Sequence, residues 1–316
     1  MTRQWIIGAV LLGCVLLGKA CNISDKCVLK DLCADKNESA DDGGAKTDAP
    51  QVEGGECGLS NINGLDANAL VLAGQARVGQ FPWTIALFSN DEYLGGGSLV
   101  APGVVLTGAH LLRGKQEADI VVRAGEWDLS NARERFPHEE SRVRKIERHE
   151  EFEYLTGANN LALLFLETPF EIQEHIRTIC LPKEEKSLEG KRCKVAGWGR
   201  RSYSETRHSN ILKNIELPLV NYSTCQGQLR NTKLGPSFSL ARSLICAGGE
   251  VNKDACLGDG GSALFCALEE DADRYEQVGI VNWGIECGKE DVPGTYTNVA
   301  MFKDWIDLKI QESLEK

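Results

Sequence analysis

From Ala69 onward the chain reads as short apolar runs broken by Gly, Pro, Asn and Asp. The runs "WTIALF", "GSLVA", "GVVLTGA", "DIVVRAG", "LALLFL", "KVAGWG", "ILKNIELPLV" and "YEQVGIVNWG" have the length, β-branched content and flanking turn residues of strands. Such a series predicts an all-β barrel or sandwich. The last stretch has a different period. In "VAMFKDWIDLKIQESL", Met301 or Phe302, Trp305, Ile306, Leu308 and Ile310 fall near helical spacing, which predicts a closing amphipathic helix.

The N-terminus follows neither pattern. Arg3 precedes an apolar stretch from Trp5 to Leu17 that ends in "GKA", so residues 1–20 are expected to be a secretory signal peptide cleaved near Ala20. The run is short for a bilayer span, and no second run of spanning length follows, so the alternative of a membrane anchor is disfavoured. Export implies an oxidising compartment. The twelve cysteines, eleven of them after Ala20, agree with that.

A length of 316 residues with 42% hydrophobic composition suffices for one large domain or two smaller ones. The net charge of -11 argues against nucleic acid or an anionic membrane surface as partner. Much of that charge is local: "ADKNESADDGGAKTDAPQVEGGE", residues 34–56, carries seven acids against two bases and reads as a solvated linker. No Cys-x-x-Cys pair or histidine cluster has zinc spacing, so neither a metal nor another cofactor is expected. Asn22, Asn37 and Asn221 each open an Asn-x-Ser sequon and are candidate glycosylation sites.

Three segments carry candidate chemistry. Acyl transfer by serine needs a hydroxyl nucleophile, a histidine to take its proton and a carboxylate to hold that histidine's tautomer. "LTGAHLL", "NNLALLFL" and "GDGGSALFC" follow in an order that resembles the histidine, aspartate and serine boxes of the chymotrypsin/trypsin family. With "QFPWTIAL", "ICLP", "ICAGG" and "VPGTYTNV" added, the resemblance covers roughly residues 70 to 310. It implies two six-stranded antiparallel β-barrels of the chymotrypsin/trypsin type with a C-terminal helix, over residues 57–316.

Position by position, His110 matches the base, Asn160 stands at the carboxylate and Gly260 at the nucleophile. Glycine offers no nucleophile. Asparagine in place of the carboxylate costs about 10⁴ in rate by favouring the wrong imidazole tautomer. Ser262, two residues along, is expected to point away from the attack position. Leu111 and Gly95 occupy the places of a disulfide that staples the histidine loop in the family, and Asn282 replaces a serine usual beside the carboxylate.

The activation switch is altered too. By resemblance, cleavage would fall after Ala69, which offers no basic residue to a trypsin-like activator, and the new terminus would pair with Asp259. Without that terminus Asp259 is expected either to take a side-chain partner or to lie in a relaxed loop. In the latter case the backbone N–H groups of Gly258 and Gly260, the oxyanion donors by resemblance, need not be aligned. Asp254 falls at the base of the primary specificity pocket, with Trp283, Gly284 and Gly294 at its walls. A carboxylate there favours Lys or Arg. Whether it still binds or is merely inherited stays open on sequence alone.

The resemblance also implies four disulfides: Cys57 with Cys180, Cys193 with Cys266, Cys225 with Cys246, and Cys256 with Cys287. Cys21, Cys27 and Cys33 remain. "CNISDKCVLKDLC" resembles the start of a clip module, as in the insect clip-domain serine-protease homologues that also carry Gly-Asp-Gly-Gly-Ser; a full clip module has six cysteines, and this segment holds three. The implied function is a secreted, inactive homologue that binds extracellular proteases or their zymogens as a cofactor or regulator, by analogy in innate immunity and melanisation. Two alternatives remain: an active trypsin-like endopeptidase, and an adhesion or structural protein.

Overall fold

The computed structural model describes residues 57–131, 133–185 and 189–315. The signal peptide, the clip-like segment with Cys21, Cys27 and Cys33, and the sequons at Asn22 and Asn37 lie outside the described residues. Twelve antiparallel strands form two closed barrels of six. The first contains β1 (Thr84–Ser89), β2 (Glu92–Ala101), β3 (Val104–Thr107), β4 (Ile120–Ala124), β5 (Glu139–Arg148) and β6 (Ala162–Leu166), closed in the order β1-β2-β3-β6-β5-β4. The second contains β7 (Arg192–Gly197), β8 (Lys213–Val220), β9 (Leu244–Gly248), β10 (Ala263–Ala267), β11 (Tyr275–Val281) and β12 (Pro293–Asn298), closed as β10-β11-β12-β9-β8-β7. The expected architecture is therefore present.

Each barrel has its own apolar filling. Ile85, Leu87, Leu99, Ile120, Val122 and Leu164 pack inside the first. Val195, Leu217, Leu264, Val278 and Tyr296 pack inside the second. A third layer of Phe81, Trp83, Trp198, Phe265 and Tyr275 joins residues of both barrels, with ring centroids of Trp83 and Phe265 5.2 Å apart and edge to face. Closure removes strand edges, and the two barrels bury a common face by aromatic packing.

Several elements differ from the sequence expectation. Strand β5, "EESRVRKIER", is missing from the apolar runs because only alternate residues (Ser141, Val143) and then Ile146, past an irregularity between Val143 and Lys145, face inward. Strands β9, β10 and β12 and helix α1 (Tyr222–Arg230) also lie outside the runs named as strands. The closing segment is not one helix: a 3-10 turn, Val299–Phe302, precedes α2 (Lys303–Leu314). Phe302 and Ile306 are buried against Val104, Leu106 and Ile280, whereas Met301 and Leu308 are exposed. The helix rests one narrow stripe on the barrels, so the helical period overcounts its buried face.

All four disulfides form as the resemblance implies: Cys57–Cys180, Cys193–Cys266, Cys225–Cys246 and Cys256–Cys287. Cys225–Cys246 ties α1 to β9, and Cys256–Cys287 ties together two loops that frame the cleft described next.

Candidate functional site: a substituted triad beside an acidic pocket

His110 lies in a 3-10 turn, Ala109–Leu112, that follows β3 of the first barrel. Gly260 lies in the loop before β10 of the second. The two barrels meet there because β2 runs through Gly95 and Gly96, which let the second barrel's loop come close. Gly96 N donates to Gly260 O (2.9 Å), and a Cβ on Gly96 would sit 2.0 Å from Ser262 Oγ. A Cβ on Gly95 would meet Leu111 Cδ1 and Gly260 O, each at 2.8 Å. Leu111 thus occupies the space where a disulfide to residue 95 would pass, and an apolar contact stands at the place of the staple.

The hydrogen bonds around Asn160 set the proton on His110. Asn160 Oδ1 accepts from the backbone N–H of His110 (2.9 Å). Its Nδ2 donates to Asn282 Oδ1 (2.6 Å), and Asn282 is itself held by donating Nδ2 to Gly157 O (2.7 Å). With the amide oriented so, its second Nδ2 hydrogen faces His110 Nδ1 at 2.8 Å. His110 Nδ1 also lies 3.2 Å from Asn160 Oδ1, the contact in which Nδ1–H would donate; the shorter contact to Nδ2 assigns Nδ1 as the acceptor, and in that tautomer the neutral ring carries its proton on Nε2. That is the reverse of what a general base needs, since Nε2 must accept the nucleophile's proton. Burial also lowers the pKa of His110, which keeps the ring neutral.

Nε2–H points at empty chemistry. A Cβ built on Gly260 would lie 2.7 Å from His110 Nε2, closer than such atoms pack. The imidazole has settled into the volume a nucleophile's side chain would take. Ser262 is fully buried behind the loop, with Oγ close to Gly96 and Gly197 and no hydrogen-bond partner among the described residues.

Below the loop is a cavity of about 330 Å³ whose lining includes His110, Asp254, Gly258, Gly260, Trp283, Gly284, Gly294 and Tyr296. Asp254 Oδ2 accepts from Gly288 N (3.1 Å), but its buried Oδ1 has no partner among the described residues. Burial pushes the Asp254 carboxyl up to about 7, with the backbone N–H groups of Gly288 and Ala255 acting in the opposite sense. The nearby Tyr296 hydroxyl is likewise buried without a partner. A Cβ on Gly294 would come within 3.3 Å of Asp254 Oδ1, and one on Gly284 would meet nothing within 4 Å. The pocket is open to a long side chain and carries unspent hydrogen-bonding capacity at its floor.

Asp259, expected to be either side-chain paired or relaxed, is paired. Its fully buried carboxylate accepts from Lys213 Nζ at 2.5 Å, from Gly199 N at 2.8 Å and from Cys256 N at 2.9 Å. Tyr93 Oη donates to Gly258 O (3.0 Å), and Leu257 O accepts from Arg200 N (2.8 Å). Gly258 has φ +95°, and a Cβ there would strike His208 at 2.4 Å, so only glycine fits. The loop is ordered, contrary to the relaxed alternative. Beside it runs a groove of about 510 Å³ lined by His110, Phe152, Tyr154, Leu155, Phe238 and Trp283.

Sequence reasoning missed Lys213, Tyr296 and the aromatic groove. Lys213 left one signal, a lysine inside the apolar run "ILKNIELPLV". Among the described residues no group of three or more His, Cys, Asp or Glu forms a metal-binding cluster, and no helix is long and apolar enough to cross a membrane.

Paired six-stranded barrels, with His110 and residue 260 facing each other across their junction, define a serine-protease fold. The family model described as Trypsin matches residues 72–306, and the chain belongs to the trypsin family. Within it, the chain is similar to phenoloxidase-activating factor 2 of Galleria mellonella, 41% identical over 270 residues covering 80% of this chain and 88% of that protein. It is also similar to inactive CLIP domain-containing serine protease A8 of Anopheles gambiae, 36% identical over 264 residues, 81% of this chain and 71% of that one. Inactive CLIP domain-containing serine protease A3 of Aedes aegypti is 39% identical over 257 residues, 79% of this chain and 53% of that protein.

Proposed function

We propose that this chain is a secreted, catalytically inactive serine-protease homologue that works by binding, as a cofactor or regulator in an extracellular protease cascade. One observation carries the reading. The triad positions hold Asn160 and Gly260: His110 Nε2 faces a residue without a side chain, and the Asn160–Asn282 pair presents an amide to Nδ1, which favours the tautomer with the proton on Nε2. Neither half of the acyl-transfer step has its group: no atom attacks, and the ring cannot take a proton at Nε2.

Similarity to proteins named inactive CLIP domain-containing proteases and phenoloxidase-activating factor supports the regulatory half of this reading. Four disulfides and the apolar N-terminal stretch support secretion. Residues 1–20 are then the signal peptide, 21–56 a shortened clip-like segment with its acidic linker, and 57–316 the binding domain. The partners are extracellular proteases or their zymogens. The pocket above Asp254, with the groove beside it, is the proposed recognition surface for a Lys or Arg side chain.

The purified chain is expected to leave Arg and Lys ester and amide substrates intact and to resist labelling by an organophosphonate serine probe. Covalent labelling of the domain would overturn inactivity. Pull-down from extracellular fluid is expected to recover a protease or zymogen, and loss of that capture in Asp254→Ala would place the contact at the pocket.

A further inference from the structure

Lys213 opens strand β8 and is almost fully buried, at 2% exposure. Its ammonium donates to Asp259 Oδ2 (2.5 Å) and to the carbonyl of Arg200 (2.8 Å). Asp259 in turn accepts from the backbone N–H groups of Gly199 and Cys256, one on the strand-end loop of the second barrel and the other two residues from Asp254. A buried carboxylate needs a cation and donors for its remaining lone pairs, and here both needs are met from within one chain.

The upstream segment is built around the same lysine. Gln75 bridges to Lys213, Ala76 N donates to Leu212 O (2.8 Å) and Asn214 N donates to Gly74 O (2.9 Å). The chain is continuous through Ala69 and Leu70, and Leu70 is 80% exposed. The α-amino group that cleavage at that bond would create therefore starts on the surface, with the carboxylate it would seek already occupied. Displacing Lys213 would leave a buried ammonium without its carboxylate, which opposes any exchange of partners.

We propose that Lys213 is a positioning residue that keeps the cleft over Asp254 formed in the uncut chain, so that recognition requires no proteolysis at Ala69–Leu70. The lysine acts through Asp259. That carboxylate pins Cys256 N and Gly199 N, and so fixes the loop that carries Gly258 and Gly260 over the pocket. The consequence for binding rests on the reading of the Asp254 pocket as a recognition site; the ordering of the loop does not.

The test uses the full secreted chain, uncut, with benzamidine as probe and amide hydrogen exchange as a second, ligand-free measurement. In Lys213→Met, exchange over residues 254–262 and at Gly199 is expected to accelerate at least tenfold while β1 and β4 of the first barrel keep their rates. Benzamidine Kd is expected to rise at least tenfold. Should Lys213→Met fail to fold, Lys213→Met/Asp259→Asn removes both charges and leaves no unpaired ion. It is expected to fold with the same accelerated loop exchange. Wild-type exchange rates over residues 254–262 in whichever variant folds would overturn the proposal. If the wild-type chain itself does not bind benzamidine, the pocket reading fails, and the exchange comparison still decides the role of Lys213.

Discussion

At the scale of single residues, the site combines substituted triad positions, Asn160 and Gly260, with a pocket whose Asp254 Oδ1 has no partner among the described residues. Restoring the hydroxyl alone is not expected to restore the chemistry. In Gly260→Ser the new Cβ meets His110 Nε2 at 2.7 Å, and Asn160 still holds the proton on the wrong nitrogen. Turnover of a chromogenic arginine amide by this variant is expected to stay below about one part in 10⁴ of an intact triad; robust hydrolysis would refute the tautomer assignment. The pocket makes a prediction with a sign. Folding raises the Asp254 carboxyl from 3.8 to about 7, so the folded chain holds a proton there that the unfolded chain has lost. Its stabilising effect is full below pH 3.8 and is lost as pH rises through 7, an amount of up to ~4 kcal/mol. A bound amidinium needs the ionised form. Benzamidine affinity is therefore expected to rise by about tenfold per pH unit below pH 7 and to level off above it. Calorimetry over pH 5 to 9, compared with Asp254→Ala, checks this: a flat profile, or equal binding by the variant, would make the acid an inherited relic.

Elements respond to the same kind of substitution in opposite ways, depending on what surrounds them. Gly96 in β2 faces the loop of the other barrel, and an added methyl there would lie 2.0 Å from Ser262 Oγ and 3.1 Å from its Cα. Gly96→Ala is expected to destabilise by about 1–3 kcal/mol through overpacking. Gly227 sits in the exposed middle of α1 with nothing within 4 Å of an added Cβ. Gly227→Ala is expected to stabilise by about 0.5–1 kcal/mol, because alanine gives up less backbone entropy in a helix. Thermal unfolding of the two variants side by side tests the pair; a rise in Tm for Gly96→Ala would mean that the barrels can part more easily than their packing implies. The contrast also explains the uneven legibility of the elements. Strands such as "LALLFL", buried on both faces, announced themselves by continuous apolar runs. Strand β5 shows Arg and Lys on its outer face and an irregular register, so its pairing with β4 and β6 decides its conformation more than its own composition does.

For the whole molecule, a cleft held by Lys213 in the uncut domain predicts that processing and recognition are separate events. A cut in the linker, for example after Lys46, lies before Cys57 and leaves all four disulfides of the domain on one fragment. The N-terminal piece is expected to leave on non-reducing gels after limited trypsin digestion, with the benzamidine affinity of the remainder unchanged. A piece retained until reduction would reveal a bridge from Cys21, Cys27 or Cys33 into the domain, and a gain in affinity on cutting would show that the linker governs the cleft.

Much of this architecture was legible in the chain itself. The order of boxes around His110, Asn160 and Gly260 pointed to the paired barrels and the cysteine pairing, and the identities of those three residues set the limits of the chemistry. These are local facts: a side chain is either present or absent at a position, and no packing supplies a hydroxyl to a glycine. What the tertiary structure alone decided is relational. That Asn282 turns the amide of Asn160 and so sets a proton on His110, that Leu111 fills the space above Gly95, and that Lys213 reaches Asp259 from a strand 46 residues away all depend on distances across two barrels. Burial then sets the strength of each, because a charge or an amide finds its partner by proximity in a medium that screens poorly, and proximity is not written in sequence separation.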